Sequence, residues 1–89
     1  MKDIEKEILS ITQEECSEVI QSVSKIFRFG IDTEWKGQSN REQLEEEIGD
    51  LKTMIDLLCQ YNIVDRTKID QHAVKKLEKL KKWSNISAE

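Results

Sequence analysis

Apolar residues recur three or four positions apart over three stretches of this chain. In the first, Ile4, Ile8 and Ile11 are followed by Val19, Ile20, Val23, Ile26 and Phe27. That spacing is the period of an α-helix. It predicts one helix over 3–29, with Gly30 placed to close it as a left-handed cap. The second stretch carries Leu44, Ile48, Leu51, Ile55 and Leu58 and predicts a helix over 40–61, capped by Ser39 or Asn40. The third places Ile69, Ala73, Leu77 and Leu80 on the inward face of a helix over 66–83. Thr67-x-x-Asp70 there resembles a capping box with Asp in place of Glu. Residues 62–65 make a short turn, and the tail from Ser84 to Glu89 reads as frayed. Residues 30–39 break the period and read as a loop, longer than most helix–helix connections. The fold class is all-α: antiparallel helices forming a bundle.

The acids break the polar-out rule. Glu15 and Glu18 stand three apart on the first helix, as do Glu47 and Asp50 on the second. Residues three apart are neighbours on one helical face. With Val19 at zero, Ile26, Cys16, Ile20 and Val23 span roughly −20° to +100°, while Glu15 falls near −40° and Glu18 near −100°. With Leu51 at zero, Glu47 and Asp50 take those same two angles, about −40° and −100°. All four lie inside or at the edge of an apolar arc. Glu14 and Glu46, near −140°, point outward. Carboxylates set so close on a core-facing stripe repel and pay for desolvation. A divalent cation removes both costs, and hard oxygen donors suit Mg²⁺, Mn²⁺ or Ca²⁺.

Composition narrows the choice. The chain has 89 residues with 36% charged and a net charge of −4, which fits one small domain over 1–89. No excess of Lys and Arg exists to neutralise a nucleic acid. The one basic run, Lys75 to Lys82, sits at a helix end, where cations complement the dipole. No apolar run is long enough to span a bilayer and no secretory signal is visible, so the expected setting is cytoplasmic, with Cys16 and Cys59 reduced and serving as small core residues. A domain this small gains from assembly. The second helix has an apolar arc of roughly 180°, wider than one partner helix covers. Both points predict a homo-oligomer that completes the bundle. Gly49 inside that helix costs about 1 kcal/mol against alanine, which is tolerable where another backbone or a ligand comes close.

The string Glu14-Glu15-Cys16-Ser17-Glu18-Val19-Ile20-Gln21, followed by Glu46-Glu47-Ile48-Gly49-Asp50-Leu51, resembles the MazG-type all-α nucleoside triphosphate pyrophosphohydrolases over about residues 8 to 82. An isolated pair of acids carries no such signal. Two pairs on consecutive helices, both in the same inward phase, do. Length and the segment Lys25-Ile26-Phe27-Arg28-Phe29-Gly30 resemble the single-domain members of bacteria and their phages. The resemblance implies hydrolysis of an NTP or dNTP to the monophosphate and pyrophosphate with Mg²⁺, or Mn²⁺ in its place. It implies that Glu15, Glu18, Glu47 and Asp50 hold the metal, that Glu15 or Glu18 serves as catalytic base, and that the subunits assemble as dimers or tetramers.

Three further residues are candidates for substrate binding. Lys25 lies two turns beyond Glu18 on its side of the helix, placed to meet phosphate or to pair with acids. Trp35 can stack on a base or plug a small core. Asn40 can touch substrate or cap the helix. His72, the single histidine, reads as a surface residue. Two other enzyme designs and one non-enzyme compete. Phosphoribosyl-ATP pyrophosphohydrolases share the acidic motif, though Gly49-Asp50 is more similar to the MazG side. A ferritin-like di-iron site needs Glu-x-x-His twice, which one histidine cannot supply. A non-catalytic helical interaction module would carry the acids without metal affinity.

Overall fold

The structure, a computed structural model, describes residues 1–86. Helix α1 spans Asp3–Phe29, strands β1 and β2 span Glu34–Trp35 and Gln38–Ser39, α2 spans Asn40–Gln60 and α3 spans Arg66–Trp83. The three helices fall where the apolar periods place them. Glu5 accepts from the Lys2 backbone N–H at 2.8 Å and opens α1. Ser39 caps α2 in a reciprocal box with Glu42. Helix α3 opens on Asp65, whose carboxylate accepts from the Lys68 N–H at 3.1 Å. The Thr67/Asp70 box expected there is not used, because α3 begins before Thr67 and Asp65 already fills the cap position. Of the tail expected to fray, Ser84 and Ile86 are tied back through the Ser84 hydroxyl; 87–89 lie outside the described residues.

The expected loop over 30–39 contains a small antiparallel hairpin, with Glu34 opposite Ser39 and Trp35 opposite Gln38. Lys36 and Gly37 turn it with φ of 53° and 80°, the paired positive φ of a type I′ turn. Strands of two residues are too short to leave a period in the sequence. The segment before it is stitched to the first turn of α2. Asn40 N–H donates to the Thr33 carbonyl at 3.1 Å and Arg41 N–H to that of Ile31 at 2.8 Å. Asn40 Nδ2 reaches the Gly30 carbonyl at 2.8 Å, and Arg41 pairs with Asp32 at 2.9 Å. Gly30 ends α1, but with φ 100° and ψ 152° it takes an extended conformation open only to glycine rather than the left-handed helical cap.

Helices α1 and α2 pack as an antiparallel pair. The packed face of α1 runs through Ile8, Ile11, Thr12, Glu15, Val19, Ser22 and Ile26, a spacing of three and four with Glu15 at its centre. The apolar arc expected to face inward is therefore only partly inside. Ile8 is 4% exposed, whereas Ile20 and Phe27 are 66% and 86% exposed. Cys16, expected in the core, is also exposed. On α2, Met54 is buried and Leu44, Leu51, Ile55 and Leu58 are half-buried, with Ile48 outside. Helix α3 touches the pair only sparsely, with Arg66 at its start paired to Asp56 of α2 at 2.9 Å. Ala73 and Leu77, expected inward, are exposed, and only Ile69 and Leu80 are half-buried. The molecule measures 41 × 36 × 16 Å, an angled slab rather than a closed bundle, because α3 projects away from the hairpin of α1 and α2.

Gly49 meets no neighbour. A Cβ there would contact nothing within 4 Å, so the close approach expected at this glycine is absent within the described chain. At Gly30 the positive φ alone strains any other residue, and a Cβ would also sit 3.0 Å from the Thr33 hydroxyl. We therefore expect Gly30→Ala to destabilise the fold by about 1–3 kcal/mol and Gly49→Ala to stabilise α2 by about 1 kcal/mol, both read by urea unfolding.

Candidate functional site

Two helices supply the acids. Because α1 and α2 run antiparallel, each step along one is matched by a step back along the other. Glu15 comes to face Asp50, and Glu18 comes to face Glu47. Carboxylate oxygens of Glu15, Glu47 and Asp50 lie within 4.8 Å of one another. Glu15 and Glu47 are half-buried in the seam and Asp50 is exposed at its lip. This matches the helical phases, in which the residues near −40° turn further inward than those near −100°. Glu18 stands outside the trio and is exposed, yet its charge is the largest acting on Glu47. Glu14 and Glu46 face outward, and Glu46 accepts from Gln38 Nε2 at 3.1 Å.

The trio carries unbalanced charge. The ion pairs among the described residues are Arg41–Asp32 and Arg66–Asp56, and neither touches it. Partial removal from water, then the charges of Asp50, Glu18 and Glu14, hold the Glu15 carboxyl above the usual range. Desolvation, then Glu18, Asp50, Glu15 and Glu46, does the same to Glu47. Three oxygens donors from rigid helices, with no histidine or thiolate among them, fit a hard divalent cation of the Mg²⁺, Mn²⁺ or Ca²⁺ type. In an Mg²⁺ octahedron adjacent oxygens stand about 3 Å apart and opposite ones about 4.2 Å, so the three carboxylates must draw together to share one such ion.

The same face of the hairpin continues into a cleft of about 610 Å³ lined by Lys25, Phe29, Thr33, Glu34, Trp35, Lys36, Gln38, Asn40 and Gln43. All three residues singled out for substrate binding, Lys25, Trp35 and Asn40, stand on its wall. Trp35 is 70% exposed with the Lys36 ammonium 4.4 Å over its ring, so it plugs no core. Asn40 does not cap α2, since Ser39 does. Sequence reasoning missed Phe29, Gln38 and Gln43. Phe29 and Gln43 stand one turn from Lys25 and Glu47 on their helices, a spacing that could have found them. Gln38 needed the hairpin. His72 is exposed and stands outside the acidic group. No helix among the described residues is long and apolar enough to cross a membrane.

The fold and the acidic seam thus define an all-α protein with a cluster of three carboxylates between two antiparallel helices. The family model for the MazG nucleotide pyrophosphohydrolase domain matches residues 4–85, and the chain belongs to that family. Comparison with curated proteins and with solved structures gives no match.

Raised carboxyl pKa values mean that the ionised forms are less favourable in the fold than in the unfolded chain. The stabilising contribution of the protonated groups is full below the ordinary carboxylate pKa and is lost as pH rises through the raised values. Metal-free Glu47→Gln should therefore melt at a higher temperature than the parent at about pH 7, with the gap closing toward about pH 4. Saturating Mg²⁺ should reverse the order, because only the parent keeps the complete donor set. Thermal melts across pH, with and without Mg²⁺, check all three expectations.

Proposed function

We propose that this protein hydrolyses a nucleoside or deoxynucleoside triphosphate between the α- and β-phosphates, releasing the monophosphate and pyrophosphate with Mg²⁺, or Mn²⁺ in its place. The observation that carries the reading is the meeting of Glu15, Glu47 and Asp50 across the α1–α2 seam, in a chain of the MazG family. A divalent cation bound there supplies charge neutralisation for the triphosphate and acidifies a water. Glu15, Glu47 and Asp50 hold it, with Glu18 completing the set as the carboxylate least engaged. That position suits Glu18 to take the proton of the attacking water, with Glu15 the other candidate. Lys25 donates to a phosphate oxygen, Trp35 stacks on the base, and Asn40 closes the cleft wall.

Assembly belongs to the same reading. Reversing the sense of rotation for the antiparallel α2 puts the exposed Cys16, Ile20, Val23 and Phe27 of α1 on the same side as Ile48 of α2. Glu18 and Asp50 fall on the opposite side. A second copy covering the apolar side would complete a bundle without touching the acids, and would add the buried surface a domain this small lacks. All 89 residues then form one domain of a homo-oligomer acting in the cytoplasm on nucleotides.

Product analysis with purified protein, Mg²⁺ and a nucleotide panel tests the reaction. Monophosphate and pyrophosphate are expected, and orthophosphate with a diphosphate as primary products would refute the cleavage position. Glu15→Gln, Glu47→Gln or Asp50→Asn should each lower turnover by about 100-fold or more with helicity retained. Glu14→Gln should stay within a few-fold. A non-catalytic module would show no turnover in any of them. Sedimentation should give a dimer or larger species that Ile20→Glu dissociates, whereas a stable monomer at micromolar concentration would overturn the assembly.

A further inference from the structure

Helix α1 has a second face, turned away from the acids. Leu9, Gln13, Cys16, Ile20, Val23 and Phe27 follow one another at alternating steps of four and three residues. That alternation is the repeat of a coiled-coil seam. All six side chains are exposed. The stripe lies about 180° around the helix from Glu18 and about 120° from Glu15, so whatever covers it leaves the carboxylates open.

Charge is missing from this face. Between Leu9 and Phe27, the half of the helix centred on the stripe adds only Ser10, Thr12, Ser17, Val19 and Ser24. Glu14, Glu15, Glu18 and Lys25 all fall on the other half. The chain as a whole is 36% charged, and a face meant for water would carry its share. Ser10, Ser17 and Ser24 recur every seven residues along one edge of the stripe. They are small enough for another helix to come close.

The stripe is complementary to itself when reversed. We propose that a second copy of this chain lays its α1 antiparallel along this stripe, with Cys16 facing the partner's Ile20. Leu9 then faces the partner's Phe27, and Gln13 the partner's Val23. The two-fold symmetry repeats each contact, giving six layers over about 27 Å of helix. Sliding one helix by seven residues either way leaves only four layers. Antiparallel pairing also sets opposite poles of the two macrodipoles together. The bulky Phe27 and Ile20 meet Leu9 and Cys16 instead of their own copies, which evens the volume of the layers. The inference rests on the homo-oligomer reading and adds to it the helix, its direction and its register.

Single-cysteine forms of the full chain test the register. Cys59→Ser leaves one thiol at position 16. Cys16→Ser with Cys59→Ser and Ile20→Cys leaves one at position 20. Ile20 is 66% exposed in the single chain, so its replacement spares the α1–α2 packing, and far-UV circular dichroism should match the parent. The two forms are mixed, allowed to exchange subunits and mildly oxidised, at a concentration where sedimentation shows the oligomer. They should form a covalent heterodimer at least about tenfold faster than either forms a homodimer. Facing Cα atoms lie within disulfide reach, whereas those one turn apart, about 6 Å further along the axis, fall beyond the limit of about 7 Å. Homodimers formed as fast as the heterodimer, or in its place, would mark a parallel or slipped pair and overturn the proposal. An oligomer that crosslinks neither alone nor mixed would overturn it too, while the homo-oligomer reading stands through another face. A monomer in sedimentation would overturn both.

Discussion

The repulsion among carboxylates at the centre of the α1–α2 seam is the constraint on the packing of these two helices. Glu15 occupies the middle of the face that α1 turns to α2, where an antiparallel pair would ordinarily place an apolar side chain. Around it the seam is modest: Ile8 and Met54 are the buried apolar residues, and Ser22 fills a further buried position. The hairpin keeps its strongest packing position for charge. Such a concession of stability to a site is what functional centres generally show. It also explains why the raised pKa values fall on Glu15 and Glu47, the two acids turned furthest into the seam.

Rigid and variable parts are divided between different elements. The acids stand on two long helices, whose backbone hydrogen bonds fix the separation of the carboxylates. The adjoining cleft is built from the end of α1, the start of α2 and the hairpin between them. That hairpin is held down by bonds from the Asn40 and Arg41 backbone and side chains. In the proposed function the helices carry the chemistry and the connection contacts the substrate, the division expected where a scaffold must be stiff and its specificity adjustable.

The exposed apolar side chains follow the same logic in reverse. Ile20, Val23 and Phe27 lie on the side of the hairpin away from Glu18 and Asp50, and α3 carries Val74, Leu77 and Trp83 into solvent. A single copy leaves these residues uncovered. Their helical spacing shows that they form surfaces rather than scattered exceptions. A hairpin with charge on one side and apolar surface on the other can bury the second without taxing the first.

The sequence by itself determined the helices, because each carries enough turns for its 3.6-residue period to be unmistakable. It also determined the four acids and their phase, since two pairs at the same angle on consecutive helices are visible without any packing. The MazG resemblance was legible on those same residues. What it could not determine was which arc of α1 meets α2. Hydropathy put the centre of the buried face near Val23 and Ile20, whereas the register of the pair puts it at Glu15, because packing against a partner depends on the partner's contour as well as on polarity. The hairpin at 34–39 was hidden by its length. The grouping of Lys25, Trp35 and Asn40 with Phe29, Gln38 and Gln43 in one cleft was hidden because it joins residues up to eighteen positions apart. The separation of Glu18 from the trio and the commitment of the Asn40 and Gln38 amides are matters of distance and direction. Only the tertiary structure decides these, since a periodic pattern fixes the angle of a side chain about its own helix but not what stands opposite it.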